Sequence, residues 1–131
     1  MKKLMMILLA SLLLVGCAGK EKTAKDFGEG ISVEMAASQK IKHLSLVKYV
    51  YGSEEFSGGV INADYSPFKD GQILWFDAAL SEASSTIAIS YSLNLDGTEE
   101  KTTEKIDISG ASKWVNLKLN QDMELEIVDM E

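Results

Sequence analysis

The side chains able to do covalent or acid–base chemistry are few in this chain of 131 residues. Cys17 is the only cysteine and His43 is the only histidine. A lone cysteine cannot form an intramolecular disulfide, and its thiolate is a strong nucleophile whose alkylation gives a thioether that water does not hydrolyse. A lone histidine excludes a multi-histidine metal site and leaves one candidate base for a nucleophilic triad.

Acid–base catalysis has weak support from the sequence. No Gly-x-Ser-x-Gly turn surrounds a serine, and His43 begins an apolar run, so we expect a surface or edge histidine. Glycoside hydrolysis needs two carboxyl groups about 5 to 9 Å apart across a cleft, a separation that sequence cannot establish. Asp77 has the most apolar setting, and we expect a strand-edge residue hydrogen-bonded to backbone. The other candidate carboxylates are Glu54, Glu55, Asp64, Asp70, Glu82, Glu99 and Glu100.

Metal and nucleotide chemistry is also unsupported. The run Asp96-Gly97-Thr98-Glu99-Glu100 lacks the spaced oxygen ligands and the closing Glu of a twelve-residue calcium loop, and a hairpin turn explains it. No phosphate-binding glycine loop or dinucleotide fingerprint occurs. We therefore predict no catalytic residue, no metal site and no cofactor.

Aromatic side chains are the remaining candidates for recognition, because Trp and Tyr give large contact area at small entropic cost. We expect Trp75 in the core, since it lies within an apolar strand, whereas Trp114 follows a polar loop and its exposure stays open. The pieces available for a sugar-binding or peptide-binding platform are Tyr49, Tyr51, Phe56, Tyr65, Phe68 and Trp114.

The first sixteen residues have the order of an export signal. A positive start, Met1-Lys2-Lys3, precedes an apolar stretch from residue 4 to 15, and small Gly16 follows. The apolar stretch is about a dozen residues, short of the roughly 20 that a membrane-spanning helix needs, so a permanent span is the weaker alternative. We predict that residues 1–16 are a signal peptide that is removed.

The four residues Leu14, Val15, Gly16 and Cys17 close that stretch. They resemble the lipobox of bacterial lipoproteins, in which a signal peptidase recognises the first three. The resemblance implies a diacylglycerol on the Cys17 sulfur, cleavage before it, and a fatty acid such as palmitate on the new amino group. Two or three acyl chains give stable anchoring. Ala18 follows where Asp would imply retention at the inner membrane, so in a cell with two membranes the resemblance implies the outer one.

Charge excludes one class of partner. The chain has no arginine, and loss of Lys2 and Lys3 leaves eleven lysines (13 − 2) against 20 acidic residues, a net charge of −9 (11 − 20). An acidic surface without arginine repels phosphate backbones and lacks the bidentate group that reads guanine. We predict no nucleic-acid binding.

The rest of the chain reads as a tether and one domain. Residues 17–29 are polar and lysine-rich, which predicts a flexible spacer, and residues 30–131 show the period-two alternation of β-strands. Turn signals every 8 to 12 residues favour a small antiparallel β-sandwich, immunoglobulin-like in the broad sense, with a small β-barrel as the alternative. Predicted strands cover residues 31–35, 44–51, 60–65, 72–80, 87–95, 99–108, 115–119 and 123–127, and a short helix could lie within residues 32–42.

Three functions stay open at this point. We expect a noncatalytic lipoprotein held at its membrane through Cys17, whose domain binds another envelope protein or a glycan through loops or a sheet edge. The first alternative is a protective, immunity-type inhibitor whose acidic hairpin at residues 99–104 meets a basic target. The second is a carboxylate-dependent envelope hydrolase.

Overall fold

The computed structural model describes residues 21–36, 40–81 and 83–131. Within those ranges no helix is long and apolar enough to cross a bilayer. A short helix and nine strands follow one another along the chain. They are α1 (Ala24–Phe27), β1 (Gly30–Met35), β2 (His43–Val50), β3 (Ser53–Val60), β4 (Ile73–Phe76), β5 (Ser85–Ser92), β6 (Lys101–Thr102), β7 (Ile106–Asp107), β8 (Trp114–Leu119) and β9 (Leu125–Met130).

Two sheets pack face to face, so the predicted sandwich is confirmed and the barrel alternative is wrong. Sheet A has the order β4-β1-β8-β9, and sheet B has the order β3-β2-β5-β6, with β7 also paired to β5. All pairs are antiparallel except β1 with β8. The sheets do not close on themselves, which leaves β4 and β9 as the edges of sheet A.

The period-two pattern places the core as the sequence predicted. Ile31 and Val33 of β1 face Leu44 and Leu46 of β2 across the interior, and all four are fully buried. Because alternate side chains of a strand point to opposite faces, these parities fix which face of each sheet packs. Other strands of the two sheets add more side chains to the same layer, namely Leu74, Phe76, Ile87, Ile89, Tyr91, Val115, Leu117, Leu119 and Leu125.

The strand predicted at residues 60–65 is wrong. β3 ends at Val60 instead of beginning there, and Tyr65 lies in a turn closed by its N–H donating to the carbonyl of Asn62. Two glycines within β3 explain the misreading. A Cβ on Gly58 would lie 3.1 Å from the Phe56 ring, so this glycine is needed for close packing inside a strand and does not mark its start.

The hairpin after β5 also differs from the prediction. Residues 101–102 and 106–107 do return antiparallel to β5, as two short strands. Ala88, Ser90 and Ser92 of β5 alternate with its apolar residues and would be expected to face water, yet all three are buried. Ser90 Oγ lies 2.9 Å from Thr102 Oγ1, and Ser92 Oγ donates to the Thr98 carbonyl. Gly97 has the positive φ expected of the Asp-Gly turn, at 78°.

The predicted tether ends earlier than residue 29. Thr23 and Asp26 form a capping box that begins α1, and Gly28 ends the helix in the left-handed region. Ala24 is fully buried, and its N–H donates to Ser32 Oγ on the outer face of sheet A. Residues 23–28 of the predicted spacer therefore form a capped helix that packs on the sheet through Ala24.

Candidate functional site

The edge strand β9 is the most exposed row of large apolar side chains in the described sandwich. Within the described part of the chain β9 pairs only with β8, so its other side carries unpaired backbone groups. Ile127, Val128 and Met130 are all exposed, Val128 at 62%. Edge strands of this kind are templates for pairing with another chain, and natural proteins usually blunt them with lysine or proline.

Acidic residues flank that row. Asp129 and Glu131 are paired with Lys25 at 3.6 Å and Lys113 at 3.0 Å. Glu124 and Glu126 form no ion pair with any described residue, although Glu126 accepts a hydrogen bond from Asn120. The edge therefore combines apolar contact area with net negative charge, and a basic extended segment complements it.

A cleft of about 460 Å³ adjoins the beginning of β9. It lies between the broken edge of sheet B and the β8–β9 turn, where Met123 takes a φ of 61°. Ile106, Met123 and Leu125 give it apolar walls, and Thr103 and Glu104 supply polar groups. The cleft can accept a side chain from a segment paired along β9.

The buried ion pair of Lys48 is a feature that the sequence analysis missed. Lys48 occupies a core register position of β2, between Leu46 and Val50, and is 1% exposed. Its Nζ donates to Glu55 Oε1 at 2.6 Å and to the Ala79 carbonyl at 2.7 Å. These bonds tie the β2–β3 hairpin to the loop after β4. The sequence did carry a signal for this burial, because the inward-facing positions of β2 are apolar except for this lysine.

His43 lies at the start of β2, as the sequence predicted, between two glycines. Cβ atoms built on Gly59 and Gly97 would lie 3.4 and 3.2 Å from its ring atoms. Its Nδ1 is buried without a protein hydrogen-bond partner in the described residues. No serine or cysteine bonds to the ring there, so the structure does not assemble a nucleophilic triad around His43.

Three of the described carboxylates act as turn caps. Asp64, Asp96 and Asp107 each accept a hydrogen bond from the backbone N–H two residues later. The pKa of each is lowered, first by a side-chain hydrogen bond from Ser66, Thr98 or Ser109 and then by that backbone bond. A lowered pKa suits a permanent anion and not a general acid at neutral pH.

Among the other predicted carboxylates, Glu55 is the partner of Lys48, and Asp77 is exposed just after β4. Glu54, Asp70, Glu99 and Glu100 are exposed, and Glu82 lies outside the described residues. The structure brings no two of them into a shared hydrogen-bonded pair among the described residues. The residues described contain no cluster of three or more His, Cys, Asp or Glu side chains placed to hold a metal ion.

The predicted aromatic platform is not assembled. Phe68 is in the core, Phe56 packs against it, and Trp114 is buried at 5% exposure beneath the Lys25 ammonium. Tyr51 and Tyr65 are exposed, but they lie in loops at opposite ends of the sandwich. Tyr49 is half-buried on the outer face of sheet B, with Lys105 Nζ 3.8 Å from its ring centroid.

Trp75 is not a core residue, so that prediction is wrong. Its position in β4 has the outward parity, opposite to Leu74 and Phe76. The ring stacks on Phe27 of α1 with centroids 4.4 Å apart, and Nε1 donates to the Glu29 carbonyl at 2.9 Å. Phe27 was not singled out from sequence, because the residues around it are polar.

Leu14, Val15, Gly16 and Cys17 lie outside the described residues. No protein-family model matches the chain, and no curated protein and no solved structure matches it either.

Proposed function

We propose that this protein is a bacterial lipoprotein, anchored through acyl chains on Cys17, whose noncatalytic β-sandwich binds another envelope protein. The lipobox residues before Cys17 support the anchor, and Ala18 supports delivery to the outer membrane where the cell has one. Between a protein and a glycan partner, the free edge of β9 favours a protein, because a polypeptide can complete its backbone hydrogen bonds.

The exposed edge of β9 is the observation that carries the binding part. Ile127, Val128 and Met130 offer exposed apolar contacts around a bulge in the strand, and Glu124 with Glu126 offers uncompensated negative charge. The partner segment is therefore extended and carries both apolar side chains and lysine or arginine. Strand addition supplies affinity through the backbone, and side-chain contacts along β9 supply specificity.

Photo-cross-linking in the native envelope tests this proposal. A photoreactive amino acid replaces Val128 in the full-length chain, and the matched control replaces Ser57, which is exposed on the edge strand of the other sheet. We expect a discrete adduct from position 128 and none from position 57. Absence of an adduct at 128, or the same adducts from both positions, would contradict strand addition at β9.

A second variant tests the anchor separately. Cys17→Ser removes the thiol that lipidation needs, and we expect the intact mass of this variant to lack acyl chains. Intact mass of the unsubstituted protein should show the added acyl mass and loss of residues 1–16. An unmodified cysteine, or an intact leader, would overturn the lipoprotein assignment.

A protective, immunity-type lipoprotein is the second candidate, and the exposed acids Glu99, Glu100 and Glu104 favour it. They belong to the segment that returns from the β5 hairpin. A basic toxin or enzyme bound there would be released by salt, since exposed charges are screened within about 10 Å at 0.1 M salt. Neutralising all three glutamates should then abolish binding, whereas the β9 proposal predicts that binding is kept. A hydrolase has no specific observation in its favour.

A further inference from the structure

The path of the chain before α1 fixes where an anchor would leave the domain. Glu21 accepts a hydrogen bond from the Ile73 backbone N–H at the beginning of β4. Ile73 pairs with Glu34 near the end of β1, so this contact lies at the end of the sandwich opposite to Gly30. Residues 21–23 then cross towards α1 on the outer face of sheet A, where Ala24 meets Ser32.

Cys17 cannot be far from that contact. Four residue steps separate Cys17 from Glu21, and an extended chain covers at most about 3.5 Å per step, so the Cys17 Cα is held within roughly 14 Å of the Glu21 Cα. Glu21 also lines a shallow depression together with Asn62, Asp64 and Lys69. The loop at residues 61–72 is therefore the part of the domain beside the anchor.

That loop is built to hold one aromatic side chain outward. Tyr65 is 63% exposed with a φ of 65°, in the left-handed region that side-chain-bearing residues rarely adopt. Asn62 Nδ2 donates to the Ser66 and Pro67 carbonyls, and Gln72 Nε2 donates to Asn62 Oδ1 at 2.6 Å. These bonds fix the loop, so the exposed ring loses little further freedom on contact with a surface.

We propose that the loop at residues 61–72 faces the membrane and that the Tyr65 ring sits at the level of the lipid headgroups. The proposal rests on lipidation of Cys17, as proposed above. Tyrosine favours the membrane–water interface because its ring is apolar and its hydroxyl stays hydrated. Charge does not drive the contact, because Asp64 and Asp70 outnumber Lys69 in the loop and the acidic turn after β5 lies at the same end of the sandwich, where His43 pairs with Ser92.

The chain offers a matched control at the other end of the sandwich. Tyr51 is also a tyrosine with positive φ, at 49°, and is 77% exposed in the turn between β2 and β3. It follows Val50, whereas the loop of Tyr65 follows Val60, which pairs with Leu44 at the beginning of β2. The length of β2 places the two tyrosines roughly 25 Å apart along the strand direction. The proposal requires Tyr51 to point away from the lipid.

A dye attached at either position tests the orientation. In the lipidated full-length protein Cys17 is alkylated, so Tyr65→Cys and Tyr51→Cys each provide the only free thiol for a polarity-sensitive maleimide dye. The proteins are reconstituted in vesicles of phosphatidylethanolamine and phosphatidylglycerol, with or without headgroup-level spin-labelled lipid. We expect a blue-shifted emission and several-fold stronger quenching for the dye at position 65. Lys69→Cys reports on the same loop if Tyr65→Cys does not fold.

The outcomes separate this proposal from the one on which it rests. Labelling of the protein without an introduced cysteine, or a mass without acyl chains, shows a free thiol at Cys17 and overturns the anchor itself. An acylated protein whose dye is quenched equally at both positions, or more strongly at position 51, keeps the anchor and overturns the membrane-facing loop. Stronger quenching at positions 65 and 69 than at position 51 supports it.

Discussion

At the scale of single residues, the ammonium of Lys48 is a buried charge held by two acceptors. It lies in the core layer, and its two acceptors are Glu55 and the Ala79 carbonyl. A buried charge that loses its partner is costly, whereas replacement of the charge by an apolar side chain of similar size is often neutral. The lysine and its glutamate should therefore respond differently to substitution.

We expect Glu55→Ala to lower the free energy of unfolding by about 1 to 2 kcal/mol, because Lys48 stays buried with one acceptor fewer. The cost is moderate because the Glu55 side chain is half-exposed and solvent screens its charge. Lys48→Met should change it by less than about 1.5 kcal/mol. Urea unfolding at neutral pH measures both, with the exposed neighbour Glu54→Ala as control. A larger loss for Lys48→Met than for Glu55→Ala would show that the ammonium itself stabilises the fold.

The capping aspartates predict how stability depends on pH. Hydrogen bonds from Ser66, Thr98 and Ser109 lower the pKa of Asp64, Asp96 and Asp107 in the folded protein. A folded pKa below the unfolded one contributes stability that is present above the unfolded pKa, about 3.9, and is lost as the pH falls through the folded values. The free energy of unfolding should therefore decrease below about pH 4.

Asparagine at these three positions tests that prediction, because its side-chain oxygen still caps the turn but does not titrate. The triple variant should show a shallower loss of stability below about pH 4 in urea unfolding. Asp70→Asn is the control, since the Asp70 carboxylate accepts no hydrogen bond from a described residue. An unchanged acid slope in the triple variant would assign the slope to other carboxylates.

At the scale of elements, Gly30 decides how β1 begins. Its φ is 87°, and a Cβ there would lie 2.5 Å from the Phe76 carbonyl and 2.6 Å from Trp75 Nε1. Backbone cannot move aside cheaply, so we expect Gly30→Ala to cost more than about 3 kcal/mol. Gly28→Ala is the matched control, with a φ of 78° and open space around its Cβ, and should cost about 1 to 2 kcal/mol. Equal losses in chemical unfolding would contradict a steric role.

Alternation along the strands was enough to predict the fold class. Ile31, Val33, Ile87 and Ile89 lie on the core faces that their period-two pattern indicated. β3 was misplaced because its glycines look like a turn in sequence, whereas in the sheet they make room for Phe56 and His43. A local pattern cannot distinguish these cases, since the distinction depends on residues far along the chain.

The candidate site was only partly predictable for the same reason. Sequence indicated a sheet edge as a binding surface, but not which strand would be the edge, because strand order depends on the parallel pairing of β1 with β8 across more than 80 residues. The sequence analysis interpreted α1 as a spacer because its residues are polar and show no periodic apolar face. Its cap, its hydrogen bond to Ser32 and the stack of Phe27 on Trp75 are specific contacts that such a pattern does not reveal. The lipidation predicted for Cys17 rests on the sequence alone.

At the scale of the whole molecule, the two proposed surfaces are compatible. The chain enters the domain at Glu21, at one end of the sandwich, and β9 begins at that same end and runs along the side from Leu125 to Met130. A domain resting on the loop of Tyr65 would hold β9 on a side that does not face the membrane, where it is open to a partner. Its net charge of −9 (11 − 20) opposes closer contact with anionic lipid.

The boundary of the folding unit gives the last prediction. A fragment of residues 21–131 keeps α1, whereas a fragment of residues 30–131 loses buried Ala24, the Phe27 ring over Trp75 and the hydrogen bonds that reach Ser32 and Asn116. Aromatic stacking contributes about 1 kcal/mol and each hydrogen bond about as much, so the shorter fragment should be less stable by about 2 to 4 kcal/mol. Urea unfolding of both fragments measures the difference, and Phe27→Ala in the longer one isolates the stack. Equal midpoints for the two fragments would return residues 21–29 to the role of a spacer.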